Sequence, residues 1–201
     1  MNEIKIQCSL NDPRVLEIHF QDVLWKSVSK SLFSSMLRGI SLGLSEGEFK
    51  RFFFEKEQKL ALHYALQLLS KRSLFISELK LKLQSKGFSF NAIDAAISYC
   101  QNIGALSEDR KLKYLIEKAI EKGKGEMFIR AYLRKYQIEE SKIDECFAEL
   151  SLDPKVAIRK LVEKKLKKYS MNDPLQKKKI INFLQRRGFQ LEDIFTAISE
   201  K

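Results

Sequence analysis

The stretch Ile93-Asp94-Ala95-Ala96-Ile97-Ser98-Tyr99-Cys100 places its apolar side chains at Ile93, Ala96, Ile97 and Cys100, the 0, +3, +4, +7 spacing of a helix with one buried face. The pattern returns. Ile143, Cys146, Phe147 and Leu150 repeat it fifty residues later, and Ile194, Ala197 and Ile198 fifty-one after that. The helices that precede these agree: Leu79 and Leu83 match Ile129 and Leu133, then Ile180 and Leu184, while Phe88, Ile138 and Phe189 follow each helix end at the same offsets. One helix further upstream, Leu112, Leu115, Ile116 and Ile120 are echoed by Ile158, Leu161, Val162 and Leu166 at an offset of only 46. The loop before the third unit's middle helix is therefore longer by about five residues, room taken up by Tyr169 to Asp173.

The expected fold is mainly α, made of tandem three-helix repeats. A unit of this size buries too little apolar surface to be stable alone, so neighbours are expected to stack end to end into an elongated, curved array. The expected boundaries are a β-hairpin and connecting helix over 1–56, then repeats over 57–109, 110–152 and 153–201. Start and stop signals fit this scheme. Ser107 precedes Glu108 and Asp109, and Asp153-Pro154 and Asp173-Pro174 put Asp at an N-cap with Pro at the first helical position. Gly87 and Gly188 stand where an αL residue ends a helix.

The beginning of the chain reads differently. Ile4, Ile6, Cys8 and Leu10 alternate with polar residues, Asn11-Asp12-Pro13 supplies a turn, and Leu16, Ile18 and Phe20 alternate again. Val23 to Val28 is a candidate third strand and Ser31 to Leu37 a short helix, before a glycine-punctuated loop holding Gly39, Gly43 and Gly47. Ser45 and Glu48 form the capping-box pattern that opens the next helix. Phe52-Phe53-Phe54 is expected to pack where this segment meets the helices.

Composition limits what the chain can do. Its 201 residues are 44% hydrophobic and 31% charged, enough for a packed core. No apolar run reaches the roughly 18 residues of a membrane span, and Met1 to Gln7 lacks the features of a signal peptide. A cytoplasmic, monomeric protein is expected. Cys8, Cys100 and Cys146 are too few and too dispersed for a disulfide framework or a metal site, and each is expected to be a small core residue. The two histidines, His19 and His63, have no ligand-spaced partner, and Gly123-Lys124-Gly125 lacks the spacing of a phosphate-binding loop. The carboxylates read as helix-start or i, i+4 surface residues. This inventory argues against an enzyme and against a cofactor.

The net charge of +11 is uneven. From Lys155 to Arg187 twelve basic residues face two acids, Glu163 and Asp173, a local excess of +10 that attracts phosphate backbones or an acidic protein groove. Binding to a macromolecular partner is the function this charge supports.

Three further stretches carry a family resemblance. Tyr64 to Arg72, Glu78 to Phe88 and Gly104 to Arg110 are similar, in order and spacing, to the first repeat of the RecX family, regulators of the RecA recombinase. Lys122-Gly123-Lys124-Gly125, followed by Ile129, Leu133 and Ile138, resembles the family's basic, glycine-containing turn ahead of a middle helix. The resemblance covers roughly residues 57 to 201, with one departure at Gln137, where the family usually has glycine after that helix. It implies a modular helical protein that binds RecA and its nucleoprotein filament along the groove, restraining ATP hydrolysis and strand exchange in homologous recombination, DNA repair and the SOS response. Candidate contacts to filament or DNA are Lys122, Lys124, Arg130, Arg134, Lys164, Lys165, Lys167, Lys168, Lys177, Lys178, Lys179, Arg186 and Arg187. The competing reading is a helical protein that binds single- or double-stranded DNA without RecA and without reading base edges. A chain ending near Leu150 is expected to keep two folded repeats.

Overall fold

The computed structural model describes residues 4–38, 40, 43–150, 153–166 and 173–199, with Lys165 and Leu166 described through their backbone alone. The chain forms two compact units, one ending at Ser107 and the other beginning at Glu108.

The first unit opens with an antiparallel sheet of β1 (Ile4–Cys8), β2 (Val15–Phe20) and β3 (Val23–Ser29), in that order. The expected hairpin is there, and the candidate third strand completes it. Gln21 and Asp22 both adopt positive φ, as a two-residue turn between twisted strands requires. Period-two alternation buries Leu16, Ile18 and Phe20, and register places Ile4 opposite Phe20 on the same face. Cys8 departs from expectation: as the last residue of β1 it is exposed, and its sulfur accepts from the Lys30 ammonium at 3.2 Å.

Helices α1 (Lys30–Arg38), α2 (Glu46–Lys71), α3 (Ile76–Gln84) and α4 (Phe90–Asn102) complete this unit. The capping box of Ser45 and Glu48 starts α2 as predicted, so Gly47 lies in the first helical turn and not in the loop. Phe53 is the aromatic centre where the sheet meets α2, with Trp25 at 5.1 Å and Phe33 at 5.9 Å, while Phe54 stays exposed at the edge of Trp25.

The main surprise here is Glu57. It is fully buried in the middle of α2, where sequence spacing gave it a surface role. Lys26 of β3 pairs with it at 2.9 Å, and Ser89, the N-cap of α4, donates through both its amide (2.8 Å) and its hydroxyl (2.7 Å). A buried carboxylate persists when its lone pairs are satisfied in this way, and three elements are tied together as a result. No local pattern marks the position, because the partners come from residues distant in sequence.

The second unit contains α5 (Glu108–Glu121), α6 (Glu126–Leu133) extended by a 3-10 turn (Arg134–Tyr136), α7 (Glu140–Leu150), α8 (Pro154–Leu166), α9 (Pro174–Arg186) and α10 (Leu191–Ser199). The predicted faces are the buried ones: Leu112 and Ile116, Ile129 and Leu133, Ile143 and Cys146, then Ile158, Val162, Ile180, Leu184, Phe189, Ile194 and Ala197. Asp173 caps α9 by accepting from the Leu175 amide at 2.9 Å, which holds its carboxyl below the usual range. Tyr169 to Asn172 of the longer loop lie outside the described residues. Among those described, no helix is long and apolar enough to cross a membrane.

Candidate partner-binding surface

The candidate surface is built around a seam within the second unit. Gly125 is the N-cap of α6 and has no side chain to receive the first helical amides, which lack partners inside any helix. The turn after α9 supplies them. Gly125 N–H donates to the Arg187 carbonyl at 2.7 Å and Met127 N–H to the Gly188 carbonyl at 3.1 Å. In return, the Arg187 guanidinium donates to the carbonyls of Lys122 (2.7 Å) and Gly123 (3.0 Å) while lying over the Phe183 ring at 4.7 Å.

The backbones meet closely enough to exclude side chains. A Cβ on Gly188 would stand 2.3 Å from the Phe128 nitrogen, and Gly188 also has φ +87°. The Lys122-Gly123-Lys124-Gly125 stretch is thus a seat for the turn that ends α9. Sequence reasoning identified both segments and missed that they touch. The seam also bears on truncation: a chain ending near Leu150 would leave the first amides of α6 without these carbonyls.

The predicted cations divide accordingly. Lys122 is exposed beside the seam, Lys124 sits over the Phe128 ring at 3.8 Å, and Arg187 is half-buried within the seam, next to the exposed Arg186. Lys177, Lys178 and Lys179 are exposed near the start of α9, Lys164 is exposed on α8, and Arg134 is exposed beyond α6. Lys167 and Lys168 lie outside the described residues, and Lys165 is described only as backbone.

Arg130 is placed differently from the other candidates. It faces α7, bonding Glu126, Glu140 (2.9 Å) and Asp144 (2.6 Å), with its guanidinium 5.3 Å from the Phe147 ring centre. Burial works against its charge, but the bonds to Asp144 and Glu126 outweigh that and raise its pKa. Its charge is neutralised within the fold. A cavity of about 630 Å³ flanks the seam, lined by Ile120, Ile129, Leu161 and Phe189 with Lys124 and Lys160 among its charged residues.

Aromatic side chains at this surface were not singled out from sequence. Phe128 and Tyr132 are exposed on α6, Tyr114 is exposed on α5, and Tyr136 closes the 3-10 turn. The i, i+4 spacing of Phe128, Tyr132 and Tyr136 was a legible signal, masked by the interleaved core positions Ile129 and Leu133. Among the described residues no group of three or more His, Cys, Asp or Glu side chains converges as a metal site.

Two stretches of the chain match domains of a known family. The third three-helix domain of RecX matches residues 156–198, and the first three-helix domain of RecX matches residues 61–100. Regulatory protein RecX of Vibrio parahaemolyticus serotype O3:K6 is 35% identical over 135 residues, covering 67% of this chain and 87% of that protein. Regulatory protein RecX of Haemophilus influenzae strain PittEE is 32% identical over 143 residues, covering 70% and 94%. A crystal structure of regulatory protein RecX superposes with a TM-score of 0.66 at 19% identity over the whole of both chains. That of RecX from Lactobacillus salivarius gives 0.67 at 21% identity, over 73% of this chain and 97% of the other.

Proposed function

The chain belongs to the RecX family, and on that premise we propose that it binds the RecA recombinase and its nucleoprotein filament and restrains ATP hydrolysis and strand exchange without catalysing a reaction itself. The observation that supports this most is the exposed basic run of α9, Lys177 to Lys179 with Arg186, held by the Gly188 seam in fixed relation to the basic turn ahead of α6. Such an arrangement presents positive charge from two consecutive repeats to one partner. Lysine ammoniums in solvent contribute little to folding and are suited to a surface of carboxylates and phosphates.

The test is RecA ATP hydrolysis on single-stranded DNA, measured against added protein, beside a pull-down with RecA in the absence of DNA. The expected result is inhibition by substoichiometric protein and retention of RecA without DNA. Reversing Lys177, Lys178 and Lys179 to Glu should preserve helicity and weaken inhibition. For every ammonium–phosphate pair that the reversal abolishes, the salt slope should fall by about one unit. A wild-type protein that neither alters hydrolysis nor retains RecA would sink the reading.

A further inference from the structure

We infer that the α5–α6 face of the second repeat is a stacking site for single-stranded nucleic acid, an inference that rests on the filament-binding reading and assigns a direct contact with the filament's unpaired strand. On this face three lysines lie over rings: Lys124 over Phe128 (3.8 Å), Lys135 over Tyr132 (4.0 Å) and Tyr136 (4.8 Å), and Lys118 over Tyr114 (4.9 Å). Lys111 of α5 reaches Tyr136 at 5.4 Å and so joins the two helices in one surface. The rings are open to solvent, Phe128 at 38%, Tyr132 at 42% and Tyr114 at 54%.

The opposite flank of the same helices has the reverse chemistry. There Arg130 bonds Glu126, Glu140 and Asp144, and Lys113 pairs with Glu149 of α7 at 3.6 Å. The acids of this repeat are concentrated where its cations need neutralising, and the ring-bearing face has Glu121 near Lys118 as its identified acid. Exposed rings that served only the core would not require lysines at every one of them.

Magnitudes indicate how a ligand would displace the resting contacts. An exposed lysine on an aromatic face contributes weakly, whereas a base stacked on the same face contributes several times more. An arriving strand therefore gains by taking the ring with a base and the released ammonium with a phosphate. Duplex DNA keeps its bases paired and offers the ammoniums alone. An acidic protein partner would likewise use the lysines and leave the ring faces without a planar complement. The seam places Phe128 against Gly188, so the exposed Arg186 at the end of α9 extends the same basic track.

The experiment uses the full chain and fluorescence anisotropy with a labelled mixed-sequence single strand, an abasic strand of the same length and a duplex. Tyr132→Ala combined with Phe128→Ala should weaken single-strand binding at least tenfold, leave the abasic strand and duplex within about twofold, and leave the salt slope unchanged, since every cation is retained. Tyr132→Phe keeps the ring and should bind as wild type, and circular dichroism should show both variants folded. Equal binding of the base-bearing strand by wild type and double variant would overturn the inference. So would a double variant that binds the strand normally and loses RecA in the DNA-free pull-down, which would make this face a protein-docking surface. Loss of RecA inhibition by wild type with the single-strand result intact would instead remove the regulator reading alone.

Discussion

The turn after α3 and the turn after α9 are the same motif in two repeats, and they dock on unlike surfaces. Gly87 (φ +86°) closes on a strand: a Cβ there would stand 2.4 Å from the Ser27 carbonyl oxygen, and the Ser29 amide donates to the Lys86 carbonyl at 3.0 Å. Gly188 (φ +87°) closes on a helix start, with the Met127 amide donating to its carbonyl. In both repeats glycine does more than permit a left-handed residue. It lets a turn present its carbonyls to amides that no local partner satisfies, at a sheet edge in one unit and at a helix N-terminus in the other. The corresponding turn of the second repeat ends in Gln137, also left-handed at φ +57°, and this residue is exposed. Close approach separates the two glycine turns from the glutamine one.

The largest effects should come from filling those contacts. Gly188→Ala combines a left-handed penalty of about 1–2 kcal/mol with overpacking of about 1–3 kcal/mol, because the neighbour is backbone and cannot turn aside. Its signature is local: in hydrogen exchange the Met127 amide should lose protection, while the strand amides of β1–β3 keep theirs. Gly87→Ala should reverse the pattern, exposing the Ser29 amide and sparing Met127. If either variant loosened both reporters equally, the two turns would not be independent docking devices.

A middle-sized effect should distinguish the units by their polar interiors. Ser89→Ala removes a helix cap and one of the bonds to the buried Glu57, a loss of about 1–3 kcal/mol. Gln190 is the counterpart of Ser89 in the third repeat, and its exposed side chain should make Gln190→Ala neutral within about 0.5 kcal/mol. Equal destabilisation by the two substitutions would mean that the Lys26–Glu57–Ser89 cluster is not what ties β3, α2 and α4 together.

What could be read from sequence follows from the range of the physics involved. Helical period, capping box and glycine stops act over a few residues, so the buried faces from Ile93 to Ile198 and the starts at Ser45 and Asp173 were legible. Contacts between distant segments were not. Glu57 looked like any surface carboxylate of a helix, because Lys26 and Ser89 reach it from other elements. Arg130 looked like a free cation, because its carboxylates lie on the facing helix as well as its own. Cys8 had the parity of a buried residue and is exposed because it stands at a strand end. Of the candidate contacts, the lysines of α9 are exposed, whereas Arg187 bridges two repeats.

The smallest expected effect is the sharpest test of the comparison, because it holds backbone conformation fixed and changes only the neighbourhood. Gln137 is left-handed and closes the 3-10 turn through its amide bond to the Arg134 carbonyl at 3.2 Å. Replacement by alanine keeps a Cβ where one already exists, so Gln137→Ala should change stability by no more than about 0.5 kcal/mol. Replacement by glycine relieves about 1–2 kcal/mol of left-handed strain and gives back about 0.5–1 kcal/mol through the freedom glycine has in the unfolded chain. The net gain should be about 0.5 kcal/mol, seen as a slightly raised denaturation midpoint. Alanine is thus expected to be harmless at 137 and costly at 87 and 188, though all three residues have positive φ. If Gly188→Ala and Gly87→Ala cost no more than the left-handed strain that Gln137→Gly relieves, strain alone would explain all three turns, and the close backbone contacts at Ser27 and Phe128 would be incidental.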